Sequence, residues 1–165
     1  TGFSILRDGV FEKISTIKTN PKTAENDLAR LQYIRKLILD GIPKDVNLIA
    51  VEDFFIPHSA MQMNAAISLI KLGTCIRLAL YEAGHKFVII SPNSLKKHLT
   101  GKGVSQKGMM MKVLFQKHNI DTKDDNQADA CALCYLAQDI FTGETKFEYE
   151  KEVVAKVKAD SLQYN

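Results

Sequence analysis

Residues 124–137, "DDNQADACALCYLA", carry three carboxylates in six positions and then turn apolar. Acids in a first helical turn suit the positive end of the helix dipole, and Asp or Asn makes a good N-cap. Asp129 needs more than that. It falls about one turn inside the helix, on the same face as Asp125, Asn126 and Leu133. An acid on a buried face needs a partner. A second acid stands at the end of the apolar run "VNLIAVEDFF" (46–55), where Glu52 and Asp53 interrupt a strand that reads as covered on both faces. Ligands gather outside the carboxyl ends of such strands. An α/β fold can bring Glu52 and Asp129 together across a sheet. Clustered carboxylates repel, and a hard divalent cation is their natural neutraliser. Mg²⁺, with Mn²⁺ as the substitute, takes oxygen ligands and pairs with phosphate. Two such ions roughly 3.5–4 Å apart clamp the attacking and leaving oxygens of a phosphodiester displacement. The chain has no phosphate-loop glycine pattern, dinucleotide fingerprint or Ser-His-Asp order to compete with this chemistry.

The charge distribution suits an anionic partner. Net charge is only +3 over 165 residues, yet residues 96–112, "KKHLTGKGVSQKGMMMK", hold five lysines and no acid. On its own the stretch reads equally as a solvated loop. Hydrophobic residues at 45% and charged residues at 25% describe a globular domain with room for a core. No apolar run reads as long enough for a membrane span, and "TGFSILRDGVF" is not a signal peptide. Three cysteines without a disulfide pattern fit a reducing, cytoplasmic setting. Cys131 and Cys134 form a C-x-x-C, but within an apolar helix and without a second pair they read as small core residues.

These groups need positioning elements. "TGFSIL", "RDG" and "VFEKIST" read as a hairpin about an Asp-Gly turn. Its first strand starts at the first residue, which suggests residues ahead of Thr1. Asn20-Pro21 reads as a helix start, with Leu28, Leu31, Ile34 and Ile38 on one face. Residues 59–83 form a long helix that is apolar nearly all round. One face can bury on a sheet, and the surplus predicts a two-fold partner, a homodimer. "HKFVII" (85–90) is a buried strand. A short helix opens at Pro92, and Ser105 caps another through about Phe115. The last core helix runs from near Asn126 to Phe141, stopped by Gly143. The order is β-β-α-β-α-β-α-α-α: an α/β fold with a mixed sheet and helices on both faces. Residues 1–145 read as the domain. Residues 146–165 read as a charged tail, either a surface helix or partly disordered.

"TGFSIL", "VEDFF" with "LIKLGTCIRLAL", "SLKKHLTGKGVSQKGM" and "NQADACALCYLA" occur in the order and spacing of RuvC-type Holliday junction resolvases, on the ribonuclease H-like fold. The chain resembles that family, its phage-encoded members most. The resemblance implies that Glu52 and Asp129 are metal-binding acids. The helical partner one turn before Asp129 is usually Asp, sometimes His. Here that position is Asn126, so either Asp125 does the work or the Asn inactivates the site. The family's first acid lies several residues ahead of "TG", outside this sequence. Phe55 matches an aromatic that reaches into the unstacked junction centre, and an aromatic beside a metal site can stack on a splayed base. Of Phe54 and Phe55, one is expected in the core. Lys96 and Lys107 match basic residues near the scissile phosphate. Lys97 and Lys102 add phosphate contacts.

The leading expectation is a homodimeric, Mg²⁺-dependent endonuclease that cuts branched DNA, four-way junctions above all, in recombination, repair or phage DNA processing, in the cytoplasm of a bacterium or infected host. The alternative is a non-cleaving relative that binds branched DNA. A Gly-x-Asp about six residues ahead of Thr1 favours the enzyme. A nucleotide-binding kinase of the same wider fold lacks its phosphate-binding loops.

Overall fold

The structure, a computed structural model, describes residues 1–19, 26–54, 56, 60–104 and 108–161. Its elements are β1 (Gly2–Arg7), β2 (Val10–Thr16), α1 (Asp27–Gly41), β3 (Ile49–Glu52), α2 (Ala60–Glu82), β4 (Phe87–Ile90), α3 (Pro92–Thr100), α4 (Met109–His118), α5 (Asp125–Thr142) and α6 (Glu148–Ser161). The order is the expected one with a further helix at its end.

Local chemistry explains most boundaries. Asp8 and Gly9 both take positive φ, 50° and 78°, the geometry that matches the twist of a two-residue hairpin. β1 and β2 therefore pair antiparallel, with a bulge between Ile5 and Leu6. Asn26 caps α1 by accepting a hydrogen bond from the Ala29 amide; Asn20-Pro21 lies outside the described residues. Ser91 caps α3, Pro92 occupies its first turn, and Gly101 ends it in the left-handed region. α4 begins after Gly108 without a side-chain cap and runs on to His118; Ser105 is outside the described residues.

The four strands make two ladders, β1–β2 antiparallel and β3–β4 parallel. Side chains alternate between faces, as strand geometry requires. Phe3, Ile49, Val51 and Phe87 pack on one side against Leu31, Ile34, Ile38, Leu72, Ile76 and Leu80 of α1 and α2. Ile14, Ala50, Val88 and Ile90 pack on the other side against a larger cluster that includes Leu95, Leu114, Cys131 and Leu136. Between β1 and β3 runs a slot of about 840 Å³, walled by Leu72, Gly73 and Ile76 of α2 and by Asp129, Leu133 and Cys134 of α5. Among the described residues each of the two strands has a ladder partner on one edge only, and no residue of either strand is fully buried.

Two expectations change. The helix segment Met63–Glu82 is long and apolar enough to cross a membrane by length and composition, contrary to the sequence reading. Only 28% of that window is buried, because α2 offers one face to the sheet and the other outward. Ile67, Leu78 and Tyr81 lie on that outer face, 42%, 56% and 71% exposed. Lys71 and Arg77 on the same helix pair with Asp27 and Asp53 of this chain. The reading of the charged tail narrows: of a surface helix and partial disorder, residues 148–161 form the helix. α6 inserts Val153, Val154 and Val157 into the main core, so it packs as an ordinary amphipathic helix.

Candidate functional site

The first turn of α5 is fixed from three directions. The Asp124 side chain accepts the Gln127 amide at 2.9 Å, and the Thr16 hydroxyl donates to both Asp124 oxygens at 3.0 and 2.9 Å. These bonds favour the carboxylate, so its pKa falls below the usual range, with the Gln127 amide the largest cause. Gln127 reciprocates by accepting the Lys123 amide at 3.0 Å. Gly2 lies so close that a Cβ there would sit 1.9 Å from the Asn126 carbonyl oxygen. Further along, Ser4 donates to the Ala130 carbonyl at 2.8 Å and meets the Cys134 sulfur at 3.0 Å. Cys131 is fully buried, its thiol pushed up to about 12 by burial. The C-x-x-C thus packs α5 on β1 and into the core.

Strand parity then decides which acid meets α5. Glu52 shares the face of Ala50, which looks towards α5, while Asp53 falls on the face of Val51, towards α2. Burial pushes the Glu52 carboxyl up to about 7, the negative charge of Asp129 adds to this, and Lys96 opposes it. Asp129 is half-buried, and burial raises its pKa too; Asp125 adds and Lys96 opposes. The Glu52 and Asp129 carboxyls thus both resist ionisation, and Lys96 lies in the field of both. Lys96 arrives on α3, which the buried His98 ties to α5 through Asp139 at 2.8 Å.

Other expected residues distribute differently. Asp125 and Asn126 are exposed on the first turn of α5, Asp125 acting on Asp129 through its charge. Among the described residues no group of three His, Cys, Asp or Glu side chains is already arranged to hold a metal. Lys102 is exposed on the loop after α3. Lys97 turns to α6 and pairs with Glu152 at 2.5 Å. Phe55 and Lys107 lie outside the described residues. Phe54 is half-buried, set against Gly73 of α2, where a Cβ would lie 2.2 Å from its ring.

Arg77 of α2 is the residue whose role the sequence reading missed. Its guanidinium donates to the Glu52 carbonyl at 3.2 Å and to Asp53 Oδ1 at 2.9 Å, and it stacks 4.0 Å above the centre of the Phe54 ring. The signal was available: one arginine in a nearly all-apolar helix, opposite a strand ending in two acids.

Two half-buried carboxylates that repel each other, with an all-oxygen donor set and a lysine beside them, fit a hard divalent cation and a phosphate. Strands covered by helices on both faces, with acids at a strand's carboxyl end and early in the helix packed across it, define the ribonuclease H-like architecture. The profile described as Crossover junction endodeoxyribonuclease RuvC matches residues 1–135. Crossover junction endodeoxyribonucleases RuvC of Brucella ovis and Brucella anthropi are each 32% identical over 124 residues, covering 71% of this chain and 69% of theirs. The fold matches Thermus thermophilus RuvC with a TM-score of 0.62 at 16% identity, covering 95% of this chain and 88% of that one. It matches T. thermophilus RuvC in complex with Holliday junction substrate with a TM-score of 0.66 at 19% identity, covering 86% of each chain. The chain belongs to the RuvC family.

Proposed function

We propose that this protein is a divalent-cation-dependent endodeoxyribonuclease that cuts four-way junctions and related branched DNA, with Mg²⁺ as the working ion and Mn²⁺ as its substitute. The observation that carries the reading is that Glu52 of β3 and Asp129 of α5 line one cleft, with burial raising both carboxyls and Lys96 opposing both shifts. Glu52 and Asp129 hold the cation, with Asp125 or the Asn126 side chain reaching the same region from the helix end. The ion supplies Lewis-acid stabilisation for charge developing on the phosphate oxygens. Lys96, joined by Lys107, orients the scissile phosphate and offsets the same charge. Water adds to phosphorus, the bond to the 3′ oxygen breaks, and that oxygen takes up a proton. The products are 5′-phosphate and 3′-hydroxyl ends. Phe55 stacks on an unpaired base, and Lys102 holds a neighbouring phosphate.

The resemblance puts one more acid on a strand ahead of Thr1. The slot between β1 and β3 has two ladder-free edges and a helix on each side, with Glu52 and Asp129 among its lining residues. A strand in that slot would bring its acid beside both. Two copies related through the outer face of α2 would present two such sites to a junction with paired strands. Such a nuclease works in the cytoplasm, where its DNA is.

Asn126 favours a second reading, a non-cleaving protein that binds branched DNA. Cleavage of synthetic junctions, flaps and duplex with Mg²⁺ separates the two. Junction-selective cuts that vanish with EDTA support the nuclease. Tight junction binding without cleavage supports the binder.

A further inference from the structure

The segment Val51-Glu52-Asp53-Phe54 carries two adjacent acids, and strand parity turns only Glu52 towards α5. We propose that Arg77 is the positioning residue that holds this arrangement: it clamps the strand end so that Glu52 stays aimed at Asp129, and it keeps Asp53 on the opposite face. The inference rests on the reading of Glu52 as a ligand and goes further, assigning a role to a residue on a different helix.

Three contacts carry it. The Arg77 guanidinium donates to the Glu52 carbonyl oxygen at 3.2 Å, fixing the backbone that aims the Glu52 side chain. It donates to Asp53 Oδ1 at 2.9 Å, which gives Asp53 a charge partner outside the site. It lies 4.0 Å above the Phe54 ring, which in turn rests on Gly73 of α2. The Arg77 side chain is only 17% exposed, so these bonds form in a partly desolvated place, where a planar fork is worth more than a flexible ammonium. Asp53 has a further restraint of its own, accepting the Phe54 amide at 2.8 Å. Its amide also donates to the Ile90 carbonyl at 2.7 Å, which extends the β3–β4 ladder past Glu52 and locks the parity that separates the two acids. Groups that orient a metal ligand without touching the metal typically change affinity roughly 10- to 100-fold when removed.

The test is a Mn²⁺ titration followed by thermal denaturation of the whole chain, giving for each variant both a metal-free Tm and a Mn²⁺ midpoint. Glu52→Gln should lose the Mn²⁺-induced rise. Asp53→Asn, which keeps an oxygen for Arg77, should leave the midpoint within about threefold of wild type. Arg77→Met should raise the midpoint roughly 10-fold or more. Arg77→Lys should recover part of that loss, keeping the charge for Asp53 but not the fork. A lower metal-free Tm in Arg77→Met with an unchanged midpoint would make Arg77 a structural brace and overturn the proposal. Asp53→Asn as damaging as Glu52→Gln would overturn it too, because both acids would then be ligands. An unaltered response in Glu52→Gln would remove the site reading itself and the proposal with it. Loss in Glu52→Gln beside no change in Arg77→Met would remove the proposal alone.

Discussion

Glu52 is the residue where the energetics of the site are plainest. A carboxyl raised from 4.5 to about 7 in the folded chain gives up its proton more readily when unfolded. Between those values the unfolded state binds fewer protons, so stability falls as pH rises through the window. A shift of that size corresponds to about 3 kcal/mol. In EDTA, urea unfolding should therefore show wild type losing stability from pH 5 to pH 8 and Glu52→Gln losing much less. Parallel slopes for the two would mean that Glu52 is not strained. Saturating Mg²⁺ should restore the loss, because a cation replaces the proton. The sequence showed both acids, since a strand-end Glu and a helical Asp are visible by type and spacing. It did not show that Asp53 is held by Arg77, because that depends on strand parity meeting a particular turn of α2. Nor did it show that Lys97 is engaged by Glu152, which needs the docking of α6. Exposed ion pairs contribute roughly 0–1 kcal/mol. Lys97→Ala should accordingly flatten the salt dependence of junction binding less than Lys102→Ala, whose full effect is a log–log slope change of roughly 0.9 per phosphate. Equal changes in slope would return Lys97 to the DNA-contacting set.

At the scale of elements, the site depends on how closely α5 lies on β1. Gly2 permits that approach, and a Cβ there would meet backbone rather than a flexible side chain. Gly2→Ala should cost about 3 kcal/mol or more and reduce cleavage through displacement of Asp129, as read by urea denaturation and single-turnover assay. Wild-type stability in that variant would show that α5 can slide without harm. Most elements were legible because their signals are local: the Asp-Gly turn, the Ser91-Pro92 helix start, the Gly101 and Gly143 stops, the apolar run of β3. α6 was legible only as one of two readings, a surface helix or a partly disordered tail, because its three core valines are diluted by lysines and glutamates and show only once α3 is in place to receive them. The division of the strands into two ladders was also hidden, since hydrophobic pattern says that a strand is covered but not which edge is paired.

For the whole molecule, the proposed two-fold assembly rests on the outer face of α2. Ile67, Leu78 and Tyr81 form an apolar stripe at helical spacing on a helix that is otherwise seated against the sheet. Leu78→Glu should convert a dimer to a monomer by light scattering at micromolar concentration, with junction binding weakened and the fold intact. A wild-type chain that is already monomeric there would remove the two-fold argument. The sequence suggested this stripe from composition alone, and the fold shows why it is left over: α2 has one sheet to cover and two apolar sides. The proposed chemistry requires Glu52 and Asp129 to act together on a phosphodiester. The most direct test is single-turnover cleavage of a synthetic four-way junction with Mg²⁺ at saturating protein, by the wild-type protein and by its Asp129→Asn variant. The account predicts paired cuts by wild type, and for Asp129→Asn a loss of cleavage of at least about 1000-fold with junction binding equal or tighter, since a negative charge facing DNA has gone. Cleavage by Asp129→Asn at the wild-type rate, or loss that merely follows weaker binding, would contradict it.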